Sequence, residues 1–83
     1  MDRPDWWTWS LVFVGHAEAR MEERGLSELE VRTMLYDAMD LEPSRRAGRW
    51  LVFSALRGRH WTVVVEPDVD KQITYVVTVY AAE

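Results

Sequence analysis

Apolar and polar positions along this chain change period several times, and each change marks an element. Trp7, Trp9, Leu11 and Phe13 alternate with Trp6, Thr8, Ser10 and Val12, a period of two that predicts a strand ending at Gly15. His16 to Arg24 is predicted as a short helix with Ala17 and Met21 as its apolar stripe, Gly15 at its start and Gly25 as the residue that stops it. A second helix opens on Ser27, with Glu30 three residues on as the reciprocal half of a capping box. Leu26 and Val31 bracket that cap as a hydrophobic staple, and Val31, Met34, Leu35 and Ala38 continue the stripe towards Met39. Asp40 to Gly48 is expected to be a polar loop.

Three strands follow, at about 49–57, 59–66 and 72–80. A two-residue turn at Arg57-Gly58 sets the register, so that Leu56 opposes Arg59, Ser54 opposes Trp61, Val52 opposes Val63 and Trp50 opposes Val65. That register collects Trp50, Val52, Trp61, Val63 and Val65 on one face, the bed for the helices. The other face receives Arg49, Leu51, Phe53, Ala55 and Arg57 with His60, Thr62, Val64 and Glu66. Pro67 to Lys71 forms the second turn. In the last strand Ile73, Tyr75, Val77 and Val79 are expected on one side, with Thr74, Val76, Thr78 and Tyr80 on the other. The expectation is one α+β domain over residues 1–83, β-α-α-β-β-β, with two helices packed on one face of an antiparallel sheet.

Composition adds three points. Apolar residues make up 48% of the 83, including five tryptophans, enough for a dense core in a chain that buries only about 60% of its unfolded surface. There is no cysteine, hence no disulfide and no thiolate metal site, which suits a reducing cytoplasm. Asp2, Arg3, Pro4 and Asp5 precede the first aromatics instead of the basic and apolar regions of a signal peptide, and no run is long enough to span a membrane. A cytoplasmic protein is therefore expected.

Charge is uneven. The net charge of −4 argues against general nucleic-acid binding, but residues 43–65 hold Arg45, Arg46, Arg49, Arg57 and Arg59, one histidine and no acid. Residues 1–42 hold ten acids against four arginines.

Two stretches resemble a known family. One is His16-Ala17-Glu18-Ala19-Arg20-Met21-Glu22-Glu23-Arg24-Gly25-Leu26-Ser27. The other runs from Gly58-Arg59 through a valine-rich strand and an acidic turn to Val76-Val77-Thr78-Val79-Tyr80. Together, over roughly residues 14–80, they resemble the bacterial domain-of-unknown-function family 4258, related to the BrnT toxins and more distantly to the RelE/ParE toxins. The resemblance implies the same β-α-α-β-β-β order. It also implies a toxin of a type II toxin–antitoxin system, a messenger-RNA endonuclease acting free or on the ribosome and neutralised by a small antitoxin. Such toxins are commonly basic, whereas this chain is acidic.

Metal-independent RNA cleavage needs a base for the 2′-hydroxyl, donors for the phosphate and an acid for the leaving oxygen. His60, Arg59, Arg49 and Tyr80 supply those types and are the candidate catalytic set; the alternative is a solvated hairpin in which Arg49 pairs with Glu66. Arg45, Arg46 and Arg57 are candidate nucleic-acid contacts. His16, Arg20 and Arg24 recur every four residues along one side of the first helix and join them. Each also has a local structural role open to it: capping for His16, pairing with Glu23 for Arg20, the helix dipole for Arg24. Trp6, Trp7 and Trp9 are either core or a partner-binding surface, with Trp6 the one expected outside. No cofactor is expected and no metal site, since His16 and His60 are the only imidazoles and no ligand spacing joins them. The partners considered are an antitoxin, RNA or the ribosome, and a second copy of the chain. Two rivals to the ribonuclease remain: a non-catalytic protein-interaction domain on the same fold, and an RNA binder without cleavage.

Overall fold

The computed structural model describes residues 2–82. A short 3-10 helix (Asp5–Thr8) leads into strand β1 (Ser10–Phe13), helices α1 (Gly15–Glu23) and α2 (Glu28–Tyr36), and strands β2 (Asp40–Pro43), β3 (Trp50–Leu56), β4 (Arg59–Asp68) and β5 (Ile73–Ala81). The strands form one sheet in the order β1-β5-β4-β3-β2. The fold is α+β in the expected order, but the sheet is mixed: β3, β4 and β5 form the antiparallel meander, while β1 lies parallel to β5.

Both helices cover one sheet face. Ala17 and Met21 of α1, and Val31, Met34 and Leu35 of α2, are buried against Phe13, Val52, Trp61, Val63, Val65, Val76 and Val79. The capping box is complete: Glu30 N–H donates to Ser27 Oγ at 3.1 Å, and Ser27 N–H to Glu30 Oε1 at 2.9 Å. Gly25 closes α1 at φ 68°, a left-handed conformation that glycine adopts without strain. The hairpin also follows the sequence. Arg57 and Gly58 have φ of 53° and 75°, the signs a type I′ turn requires, and the β3–β4 register pairs Leu56 with Arg59 through Trp50 with Val65 as expected.

Three expectations are corrected. The tryptophan segment is a 3-10 turn, not a strand, and β1 starts only at Ser10. An extended chain would send Trp6 and Trp7 to opposite faces and leave one indole in water. The turn after Pro4, held by Trp7 N–H to Pro4 O and Trp9 N–H to Trp6 O, puts both on the protein side. Their rings lie 5.4 Å apart, with Trp6 5.9 Å from Trp50.

Second, part of the expected loop is strand. Asp40 to Pro43 adds β2 to the free edge of β3, pairing Asp40 with Phe53 through Pro43 with Trp50. Only Leu41 of the four packs on the core, so the segment reads as polar. Charged residues and a proline are what an edge strand tolerates.

Third, the faces of β5 exchange midway. A bulge between Val64 and Val65 shifts the β4–β5 pairing by one residue. Val79 stays under the helices opposite Val63, but below the bulge Thr74 and Val76 turn inward, and Ile73 and Tyr75 go to the open face. The extra residue allows Phe13 to sit beside the buried Val76 in the parallel β1–β5 pair.

Candidate nucleic-acid interface

The acid-free arginine segment is divided by the sheet. Arg45, Arg46 and Arg49 lie in or at the end of the loop entering β3, while Arg57 and Arg59 flank the hairpin that leaves it. The length of β3 puts these groups roughly 20 Å apart. Arg45 and Arg46 are exposed. Arg49 Nε donates to Glu66 Oε1 at 2.8 Å, the cross-strand ion pair that the hairpin register allowed.

At the hairpin end the chain builds a cleft. Arg24, the last residue before Gly25, reaches across to the sheet, where its Nε donates to the carbonyl oxygen of Val79 at 3.3 Å. Arg59 shares the parity of Trp61 in β4, so it points to the helix side, with its guanidinium carbon 5.0 Å from the Trp61 ring. Arg57 was expected on the open face; its left-handed φ carries it to the helix side instead, where it pairs with Glu30 of α2. The three arginines, with Leu26, Leu56 and Trp61, line a space of about 200 Å³.

The electrostatics of the cleft turn on Glu30. Its carboxyl is held below the ordinary carboxylate range, first by the Ser27 backbone N–H and then by the positive charge of Arg57, against the opposing effect of partial burial. One acid thus serves the α2 cap and neutralises one of three cations. Among the described residues, Arg24 and Arg59 are engaged only by a carbonyl and an aromatic ring, so their charge is uncompensated by those contacts. The Glu30–Arg57 contact was missed in the sequence because Glu30 already had a local partner, and nothing local links residues 27 apart.

The expected catalytic set is not brought together. Arg59 points to the helix side, whereas His60 lies on the open face opposite Ala55. Tyr80, opposite Thr62, is the diagonal neighbour of His60 on that face, roughly 7 Å away. Arg49 is six residues along β4 from His60 by its pairing with Glu66, again roughly 20 Å. On α1, Arg20 pairs with Glu23 at 2.8 Å, the local partner available to it, and His16 is exposed at the start of the helix, roughly 12 Å from Arg24. Of the tryptophans, Trp6 is half-buried against the core rather than outside, as is Trp7, and Trp9 is half-buried without joining the core cluster.

Residues 13–81 match the family described as a domain of unknown function (DUF4258). No curated protein and no solved structure matches the chain.

Proposed function

We propose that this chain, which belongs to the DUF4258 family, is a toxin-like RNA-binding domain related to the BrnT and RelE/ParE toxins, and that it grips the phosphate backbone with Arg24 and Arg59, with Arg57 beside them restrained by Glu30. The observation that carries this reading is the convergence of the three arginines from α1 and the β3–β4 hairpin on one cleft of an acidic protein. Guanidinium groups offer paired donors to phosphate oxygens. A protein of net charge −4 has no general attraction for RNA, so binding depends on such a local grip and on low salt.

The test is fluorescence anisotropy with a labelled single-stranded oligouridylate. The double variant Arg24→Ala/Arg59→Ala loses binding, while Arg45→Ala/Arg46→Ala, at the other end of β3, keeps it. The reverse pattern rules out the cleft.

The adjacency of His60 and Tyr80 favours a second reading, cleavage. Both lie at the hairpin end of the sheet, on the face opposite the cleft, so a strand gripped by the arginines and passing round the hairpin meets an imidazole that can exchange a proton and a phenol beside it. On this reading the protein is a metal-independent endoribonuclease held by an antitoxin. Wild-type protein then degrades RNA in the presence of a chelator, and His60→Ala binds RNA but leaves it intact.

A further inference from the structure

At the other side of the helix layer lies a second cavity, of about 150 Å³, that the arginine cleft does not involve. Its walls are Trp6, Trp7, Leu35 and Val65, and Arg32 and Tyr36 also line it. It exists because the tryptophan segment is a 3-10 turn rather than a strand: the turn lays both indoles beside α2. Thr74 Oγ1, itself buried, fixes the turn by donating to the Trp6 carbonyl at 3.2 Å.

Two cations stand at this pocket in the acidic half of the chain. Arg32 has its side chain 47% exposed; it forms a long i,i+4 ion pair with Glu28 at 3.9 Å, beyond hydrogen-bond distance, and its guanidinium carbon is 5.4 Å from the Phe13 ring. Among the described residues it makes no hydrogen bond, so its fork of donors is open to a ligand. Arg3 straps the neighbouring wall, its guanidinium 4.9 Å from the Trp7 ring and donating to the Tyr36 carbonyl at 3.0 Å.

From this arrangement we infer that the pocket binds a small monocyclic aromatic carboxylate, the ring between the Trp6 and Trp7 indoles and the apolar wall, the carboxylate on Arg32. The volume suits the size: about 150 Å³ of apolar-walled space is enough for a single benzene ring. The lining selects the body, since stacked or edge-on indoles favour an aromatic over an aliphatic group of equal size. The charge selects the head: a guanidinium whose donors are unused, with its ion-pair partner Glu28 at 3.9 Å, favours a carboxylate placed one or two bonds from the ring. A neutral ring leaves the Arg32 donors unused.

Sodium phenylacetate is the probe, titrated into the whole chain while the indole N–H resonances are followed by NMR. The expected result is saturable shifting of the Trp6 and Trp7 resonances, with Trp61, remote from the pocket, unmoved. Arg32→Gln weakens phenylacetate binding at least fivefold and leaves the weaker binding of benzyl alcohol unchanged, and Arg32→Lys restores part of the loss. Absence of saturable shifts up to tens of millimolar overturns the inference. So does equal affinity for phenylacetate and benzyl alcohol in the wild type, or an Arg32→Gln variant that binds phenylacetate as well as the wild type. Because no RNA enters the assay, the outcome is independent of the fate of the arginine cleft.

Discussion

Replacing Glu30 by glutamine should strengthen RNA binding, and the sign of that effect follows from the cleft. Glu30 accepts the Ser27 N–H at 2.9 Å and pairs with Arg57. Glutamine keeps a carbonyl oxygen for the Ser27 N–H and removes the charge that occupies Arg57. With Arg57 held back, two guanidiniums, Arg24 and Arg59, meet phosphates; once it is released, three do. Single-stranded binding loses about 0.7 of a logarithmic unit per phosphate contact for each tenfold rise in salt, so the slope should steepen from about −1.4 to about −2.1. Between about 50 and 200 mM salt, affinity should then fall roughly 7-fold for the wild type and roughly 18-fold for Glu30→Gln, the variant binding tighter at the low end. Anisotropy titrations at four salt concentrations measure both slopes, with circular dichroism confirming that the variant is folded. A folded Glu30→Gln protein whose slope equals the wild type's, or whose binding is weaker at low salt, refutes the reasoning, because Arg57 would then not be a contact that Glu30 restrains.

The same carboxylate predicts a pH effect. Since the folded state holds the Glu30 carboxyl below its ordinary range, its stabilising contribution is complete above the unfolded value near about 4.3 and is lost as pH falls through the lower folded value. Acid unfolding followed by circular dichroism should therefore be less steep below about pH 4 in Glu30→Gln than in the wild type. Ser54 Oγ is buried without a hydrogen-bond partner among the described residues, so Ser54→Ala should be neutral or stabilising by up to about 1 kcal/mol; a loss larger than that in urea unfolding would reveal an unrecognised partner. Val31 is fully buried between the helices and the sheet; Val31→Ala should cost about 2–3 kcal/mol, and a fall in urea stability below about 1 kcal/mol would mean that the site collapses around the gap. Gly58→Ala places a β-carbon at φ 75° and should cost about 1 kcal/mol, with the β3–β4 amide register unchanged by NMR.

Much of this protein was readable in the chain because the information is local. The capping box lies within four residues, the hairpin turn within two, and the alternation of Val52, Trp61, Val63 and Val65 needs only the turn to fix which residues meet. Those features set two helices, a meander and an apolar bed before any tertiary contact is considered. What could not be read depends on neighbours distant in sequence. Asp40–Pro43 becomes a strand only because β3 has a free edge for it to join. The consecutive valines Val76 and Val77 allow either face of β5 to be buried, and the bulge in its pairing with β4 settles the choice. Three tryptophans in four residues fit a strand pattern, but burying Trp6 and Trp7 on the same side requires a turn, and Trp50, forty-four residues on, supplies the surface that Trp6 packs against. The candidate site divides the same way. The arginines and the histidine were identifiable by type, and the cross-strand and i,i+3 ion pairs were available from spacing alone. Which arginines converge was decided by the positive φ of Arg57, the inward parity of Arg59 and the docking of α1 that carries Arg24 to Val79: long-range geometry that charge along the chain does not encode.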